Sequence, residues 1–250
     1  MKGKTHFRYL TAGLCALAAF AGVARAEQVT TKLDLPYVSK YVWRGTVPNP
    51  DPAFQPSLTV SHKSGASLNL WASVDATDIS GEEGRPTEID YTLNYAWSAG
   101  RLGMNAGLID YTFPNTALAA TSEVYASACL GGAYSPSFSV NYDFDEAHGY
   151  YASLSAGRAC TMPWRNGAST AMNVSARLSF ASAGYNKLYF LADKSAFTDL
   201  LLSASVPFTV ARTVTVTPAV YYSTVLDGRL RDGVKDPDNL FTSLTASIAF

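Results

Sequence analysis

The sequence predicts an all-β protein, an antiparallel transmembrane β-barrel of about twelve strands. Three observations predict it. Apolar and polar residues alternate with a period of two along most of the chain. Short and long connections between the alternating segments broadly alternate. The chain also ends in such a segment, "SLTASIAF", whose last residue is Phe250. A period of two places successive side chains on opposite faces of a strand. A strand with one apolar and one polar face either half-buries in a soluble sandwich or turns one face to lipid and the other to a wet lumen.

The first 26 residues stand apart. "MKGKTHFR" is basic, "YLTAGLCALAAFAGV" is apolar but short, and Ala24-Arg25-Ala26 has the small-residue pattern that signal peptidase reads. This is the layout of a secretory signal peptide, so residues 1–26 are expected to be cleaved and residues 27–250 to form the barrel. Leu14 before Cys15 is too large for a lipoprotein signal. Cleavage removes Lys2, Lys4, Arg8 and Arg25 and leaves a net acidic chain. Without a basic stripe, no nucleic-acid partner is expected. Cys129 and Cys160 then remain, in a compartment that permits disulfides. A bond between them is a candidate. Next-but-one strands stand about 10 Å apart, beyond the ~7 Å a disulfide spans, and an inward fold of the turn after Ala159 would close the gap.

The strands can be taken in order. In the first, 29–43, Leu33, Leu35, Tyr37, Tyr41 and Trp43 oppose Lys32, Asp34 and Lys40. The second is 54–63. In the third, 66–77, Ala66, Leu68, Leu70, Ala72 and Val74 oppose Ser67, Asn69, Ser73 and Asp75. In the fourth, 87–98, Ile89, Tyr91, Leu93, Tyr95 and Trp97 oppose Glu88, Asp90, Thr92 and Asn94. The fifth is 101–113. The sixth, 121–132, sets Val124, Ala126, Ala128 and Leu130 against Glu123, Ser127 and Cys129. The seventh, 137–145, sets Phe138, Val140, Tyr142 and Phe144 against Ser139, Asn141, Asp143 and Asp145. The eighth is 148–159. The ninth, 169–190, is long, and "SFASAGYN" within it marks a bulge or a break. The tenth is 198–209 and the eleventh 212–225, with a bulge expected at Pro218 because its missing N–H leaves a ladder bond unmade. The last is 239–250.

Ser64-Gly65 and Ala99-Gly100 suit two-residue turns, and Ala133–Pro136 and Val210–Arg212 suit tight ones. "GTVPNPDPA", "ISGEEGRPT", "PNTALAA", "DKSAFT" and "LDGRLRDGVKDPDN" are long and polar. Short periplasmic turns and long external loops are the habit of outer-membrane barrels. "CTMPWRNGAS" and the short connection at Glu146–His148 break the alternation. An even strand count returns the C-terminus to the side of the N-terminus. There Leu244, Ile248 and Phe250 form the amphipathic, aromatic-ended strand that the barrel assembly machinery of a Gram-negative outer membrane reads, and that strand must close on the first.

The opening stretch "YVSKYVWRGTVPNPDPAFQPSLTVSHKSG" resembles that of the TorF-type family of proteobacterial porins. The matching residues are Tyr41, Arg44, Gly45, Pro52, Ala53, Gln55, Ser64 and Gly65. "EIDYTLNYAW", "GLIDYTFPN", "SEVYASA" and "LTASIAF" are similar to the family's later strands, whereas "CTMPWRNGAS" departs from them. The resemblance implies a barrel and suggests transport; it supplies no catalytic residue.

Motifs for other chemistry are missing. There is no P-loop, G-x-S-x-G, H-E-x-x-H or paired C-x-x-C. His62 has Ser61 beside it, but neighbours in a strand face opposite ways. His148 reads as a loop residue. No enzyme activity, cofactor or metal site is expected. The expected role is an outer-membrane porin-like channel for passive diffusion of small hydrophilic solutes. The alternative is a plugged structural or interaction barrel that binds lipopolysaccharide or an external partner; a barrel enzyme acting on lipid ranks below it. Expected partners are outer-membrane lipid and lipopolysaccharide, the assembly machinery and the solutes. On the inward faces Asp75, Glu88, Asp90, Glu123, Asp143, Asp145 and Asp199 reach the outer ends of their strands, against Lys40 and Arg44. A ring of this kind at a mouth favours cations. Trp43, Tyr95, Trp97 and Tyr222 near strand ends suit interfacial belts.

Overall fold

The computed structural model describes residues 28–79, 81–163 and 169–250. The signal peptide expected over residues 1–26 and the centre of "CTMPWRNGAS" lie outside the described residues. No helix is long and apolar enough to cross a membrane, which leaves crossing by strands open.

The strands are β1 (Val29–Val38), β2 (Tyr41–Trp43), β3 (Thr46–Asn49), β4 (Ala53–Phe54), β5 (Ser57–His62), β6 (Ala66–Asp75), β7 (Pro86–Ala99), β8 (Leu102–Thr112), β9 (Thr121–Leu130), β10 (Ser137–Asp143), β11 (Gly149–Pro163) and β12 (Ser169–Ala181). After helix α1 (Ala183–Tyr189) come β13 (Ala196–Ser205), β14 (Phe208–Ala211) and β15 (Val214–Val225). Helix α2 (Gly228–Asp232) precedes β16 (Asp238–Ala249). All but β2 and β3 join one antiparallel sheet. Within it β4 with β5, and β13 with β14, are each one stave interrupted. The sheet therefore has twelve staves and closes on itself, with β1 paired to β16 and β15 paired to both β13 and β14. Closure leaves no unpaired edge, which a hydrocarbon environment demands.

Register fixes which residues face out. Leu33 is level with Ile248, Tyr37 with Leu244, Leu70 with Tyr91 and Leu93 with Leu108. Their faces carry exposed apolar side chains all round the barrel, including Leu93, Leu108, Phe138, Leu154 and Leu202. Tyr95, Trp97 and Tyr222 stand on this outer face, as an aromatic belt requires. Trp43 does not; it lies inside, against Tyr111 and Tyr189.

Three further expectations need correction. The ninth strand stops at Ala181. Ser182 then caps α1, its hydroxyl accepting from the Tyr185 N–H, and Tyr185 and Tyr189 pack one turn apart with tilted rings 4.5 Å between centroids. Tyr185, Phe190, Val225 and Leu230 are buried together with Tyr151 and Ala181, so the loops carry a small core of their own at the loop end of the barrel. The second correction concerns Pro218. It keeps register with Leu244 and no bulge forms in β15. Its missing N–H falls where the neighbouring stave is interrupted at Val206-Pro207, so the gap in the ladder is shared by two prolines. Register shifts sit elsewhere: in β13 between the pairs Leu178–Leu200 and Phe180–Phe197, in β14 between Thr209 and Ala211, and in β7 between Glu88 and Pro86.

The third is the candidate disulfide. Cys129 and Cys160 are free thiols. Cys129 is level with inward-facing Ser137, and Ser137 with Ser155. Cys160 shares the outward parity of Leu154 and is level with Met172. The two therefore point to opposite faces of the wall, and Cys160 lies some five residues, about 17 Å, farther along. Alkylation of the unreduced, unfolded chain is expected to modify both thiols; a mass lacking both adducts would reinstate the bond.

Candidate functional site

The connection between β1 and β4 does not leave the barrel. It turns inward as the β2–β3 hairpin and crosses the lumen at the loop end. Its tip is the pair Arg44-Gly45, with φ of 48° and 85°, flanked by Trp43 level with Thr46. Two successive positive φ values make the two-residue turn whose twist matches a hairpin. Glycine adopts the second at little cost. The Thr46 hydroxyl donates to the Trp43 carbonyl at 2.7 Å and tightens the turn.

At the tip the Arg44 guanidinium meets the far wall. Its two η-nitrogens donate to the two Glu123 oxygens on β9, at 2.7 and 2.8 Å, and reach the hydroxyls of Tyr185 and Tyr111 at 3.3 and 3.5 Å. Glu123 also accepts from Tyr111 and from the Asn141 amide. The cation lies 4.5 Å from the Trp43 ring and 4.6 Å from that of Tyr151. The Glu123 side chain is wholly buried and that of Arg44 is 10 % exposed. A planar fork on a carboxylate between aromatic faces suits arginine and not lysine. Gly45 is pressed against β13: a Cβ there would lie 3.0 Å from that of Asp199. Gly45→Ala is expected to cost about 1–3 kcal/mol, read as a lower urea midpoint for the folded barrel.

The expected acidic residues gather round this hairpin, but several of them serve it or its surroundings. Asp75 accepts from Asn49 and from Thr87, at 2.8 and 3.1 Å. Glu88 takes the Tyr41 hydroxyl. Asp143 accepts from Thr121 and from the backbone N–H groups of Asp145, Glu146 and Ala147, which shapes the connection to β11. Asp199 accepts from Tyr151 at 2.8 Å and faces Arg177 at 3.5 Å. One Asp90 oxygen is buried without a partner. Asp145 is exposed in the loop, apart from the rest. Lys40 donates to Asn239 at 2.9 Å. His62 sits at the opposite end, bonded to Ser64 and Gln28. At the seam, Phe250 exchanges backbone bonds with Thr31 and is 73 % exposed, while Leu244 and Ile248 lie on the outward face of β16.

Toward the short-turn end the inward faces are mostly uncharged, with Lys32 and Asp34 paired to each other at 2.9 Å. Hydroxyls and amides pair across neighbouring strands there: Ser57 with Asn69, Ser137 with Ser155, Ser139 with Ser153, Ser175 with Ser203. Between this zone and the hairpin lies a cavity of about 380 Å³, reached by Arg177, Gln55, Tyr221, Phe241 and the hairpin's Val42 and Trp43.

A family model, described as a bacterial protein of unknown function (Gcw_chp), matches residues 22–221. The chain belongs to the Gcw_chp family. Its Arg44-Gly45 tip falls within the matched stretch. No curated protein matches this Gcw_chp member in sequence. Among solved structures it is similar to the KdgM porin, with 9 % identity, a TM-score of 0.50 and coverage of 88 % of this chain and 99 % of that one. A second KdgM structure, in complex with disordered oligogalacturonate, gives 7 % identity, a TM-score of 0.52 and the same coverage. The NanC porin follows at 13 % identity and a TM-score of 0.49, covering 87 % and 98 %. At these identities what the Gcw_chp barrel shares with the KdgM structures is the fold.

In the sequence Arg44 and Gly45 stand out as a matched pair, with Arg44 counted among the few cations near the acidic ends of the strands. The signal that places them is local: Tyr41 and Trp43 alternate up to an Arg-Gly pair, and Thr46 to Asn49 resumes an extended run, which is a hairpin pattern.

Proposed function

We propose that the protein is a channel of the Gram-negative outer membrane through which small hydrophilic solutes diffuse passively, narrowed at its outer end by the β2–β3 hairpin. One observation carries this reading: a closed ring of staves with an apolar outside and an inner half lined mostly by hydroxyls and amides. The TorF-type resemblance and the likeness to a porin fold agree with it. The short-turn end then faces the periplasm, through which the chain is exported after its signal peptide is cut. The terminal strand with Leu244, Ile248 and Phe250 addresses the assembly machinery, and the outer girdle meets lipid and lipopolysaccharide. No chemistry on a substrate is part of this reading.

Among ions, cations are favoured. The inward-facing carboxylates Asp34, Asp75, Glu88, Asp90, Glu123, Asp143 and Asp199 outnumber Lys32, Lys40, Arg44 and Arg177 among the described residues. In planar bilayers the protein is expected to conduct, with a reversal potential in a salt gradient of cationic sign. Lysine at both Glu88 and Asp90 should move that potential toward anions. An anion-selective wild type would overturn the ion preference.

A second reading is supported by the Arg44–Glu123 contact, which suits a plug that stays shut. The barrel would then be an interaction protein presenting its loops to lipopolysaccharide or another external partner. Bilayers that stay silent with wild-type protein and with variants lacking that contact would favour it.

A further inference from the structure

The cavity beneath the hairpin has an uneven lining. On one side Tyr221 and Phe241, level with each other on β15 and β16, stack at 4.8 Å and 14°. Leu201, Val38 and the hairpin's Val42 extend this apolar side. Around it stand groups that donate or accept without net charge: Gln55, Ser223, Ser243 and Thr245. The charged residues of the lining are Arg44, bound to Glu123, and Arg177, and two facts about Arg177 decide the class of ligand. Its charge is faced at 3.5 Å by Asp199, a fully buried carboxylate, so the pair is close to neutral. Its Nε–H is nevertheless buried without an acceptor. A buried donor without a partner carries a desolvation cost of about 1–3 kcal/mol, which an incoming acceptor would relieve.

An anionic ligand would sit beside Asp199 as well as Arg177, and a cationic one beside Arg177 and Arg44. Neither gains a free counter-charge. A neutral ligand with an apolar face and a rim of hydroxyl oxygens does better: the face covers the ring and aliphatic side, and the rim accepts from Arg177 and exchanges hydrogen bonds with Gln55 and the serines. The volume suits a single small ring, at the lower end of the roughly 300–1,000 Å³ of ordinary ligand pockets. We propose that this cavity is a binding subsite for a neutral, ring-shaped polyol of the monosaccharide class, loaded from the hydroxyl-lined half of the lumen.

This names the solute for the channel reading above and rests on it for its transport meaning. Binding and conduction can nevertheless be measured apart. Full-length protein refolded in detergent would be titrated with glucose, glucuronate and glucosamine, followed by saturation-transfer NMR and calorimetry. Saturable glucose binding is expected, roughly tenfold tighter than that of either charged sugar, because each of those brings an unbalanced charge to a partly desolvated site. Phe241→Ala should weaken glucose binding several-fold. Arg177→Gln paired with Asp199→Asn, which removes both charges together, should leave the barrel folded and still select against glucuronate. The absence of saturable glucose binding, glucuronate binding as tight as glucose, or a Phe241→Ala variant that binds like wild type would each overturn the subsite. Silent bilayers alongside saturable glucose binding would overturn the channel and keep the subsite.

Discussion

Replacing Arg44 with alanine is expected to unseat the hairpin and raise conductance in planar bilayers. The guanidinium is the hairpin's anchor on β9, and its removal leaves the wholly buried Glu123 with only Tyr111 and Asn141. Taking one partner from a buried ion pair costs about 3–5 kcal/mol, whereas replacing both by neutral groups of similar size is often close to neutral. Arg44→Ala should therefore lower the urea midpoint markedly. Arg44→Met combined with Glu123→Gln should recover most of the loss in stability while still conducting more than wild type, because the charged fork is gone in both. If Arg44→Ala matches wild type in conductance and midpoint, the hairpin is not held by this contact.

The second large effect tests the assignment of inside and outside. Leu244 and Thr245 are neighbours on β16. Leu244 is 53 % exposed on the outer face, level with Tyr37 and Pro218. Thr245 lines the cavity. Arginine on a lipid-facing position costs about 2–4 kcal/mol near the midplane, whereas lumen positions tolerate charge. Leu244→Arg should leave little folded, heat-modifiable protein in vesicles, and Thr245→Arg should leave nearly all of it. Equal yields from the two variants would contradict the register of the seam.

Most of the wall was legible in the sequence because a strand that separates lipid from water writes its two faces into alternate residues. From Ala66 to Asp75 and from Ile89 to Trp97 every second side chain declares its side. The parts that were not legible are those where this constraint lapses. Tyr41 and Trp43 alternate like their predecessors in β1, yet the alternation there describes a hairpin surrounded by protein, not a wall. Residues 183–189 read as a continuation of β12 because "AGYNKLY" has aromatic residues at even separations; the spacing of Tyr185 and Tyr189, four apart after a serine cap, fits a helical turn as well. The acidic residues were readable as inward-facing. Which hydroxyl, amide or guanidinium each would meet was not, since Arg44 and Glu123 are 79 residues apart and only the closed ring brings them opposite.

The hairpin also constrains how this barrel could change over evolutionary time. It springs from β1, and its tip touches β8, β9, β11 and β13. It is thus a strut across the diameter, cut to one circumference. Barrels can be enlarged by duplicating a pair of strands, and diameter grows with strand number. Here an added pair would carry Glu123 and Asp199 away from Arg44 and Gly45 and leave the strut short. Change of girth and loss of the Arg-Gly tip are therefore expected to occur together.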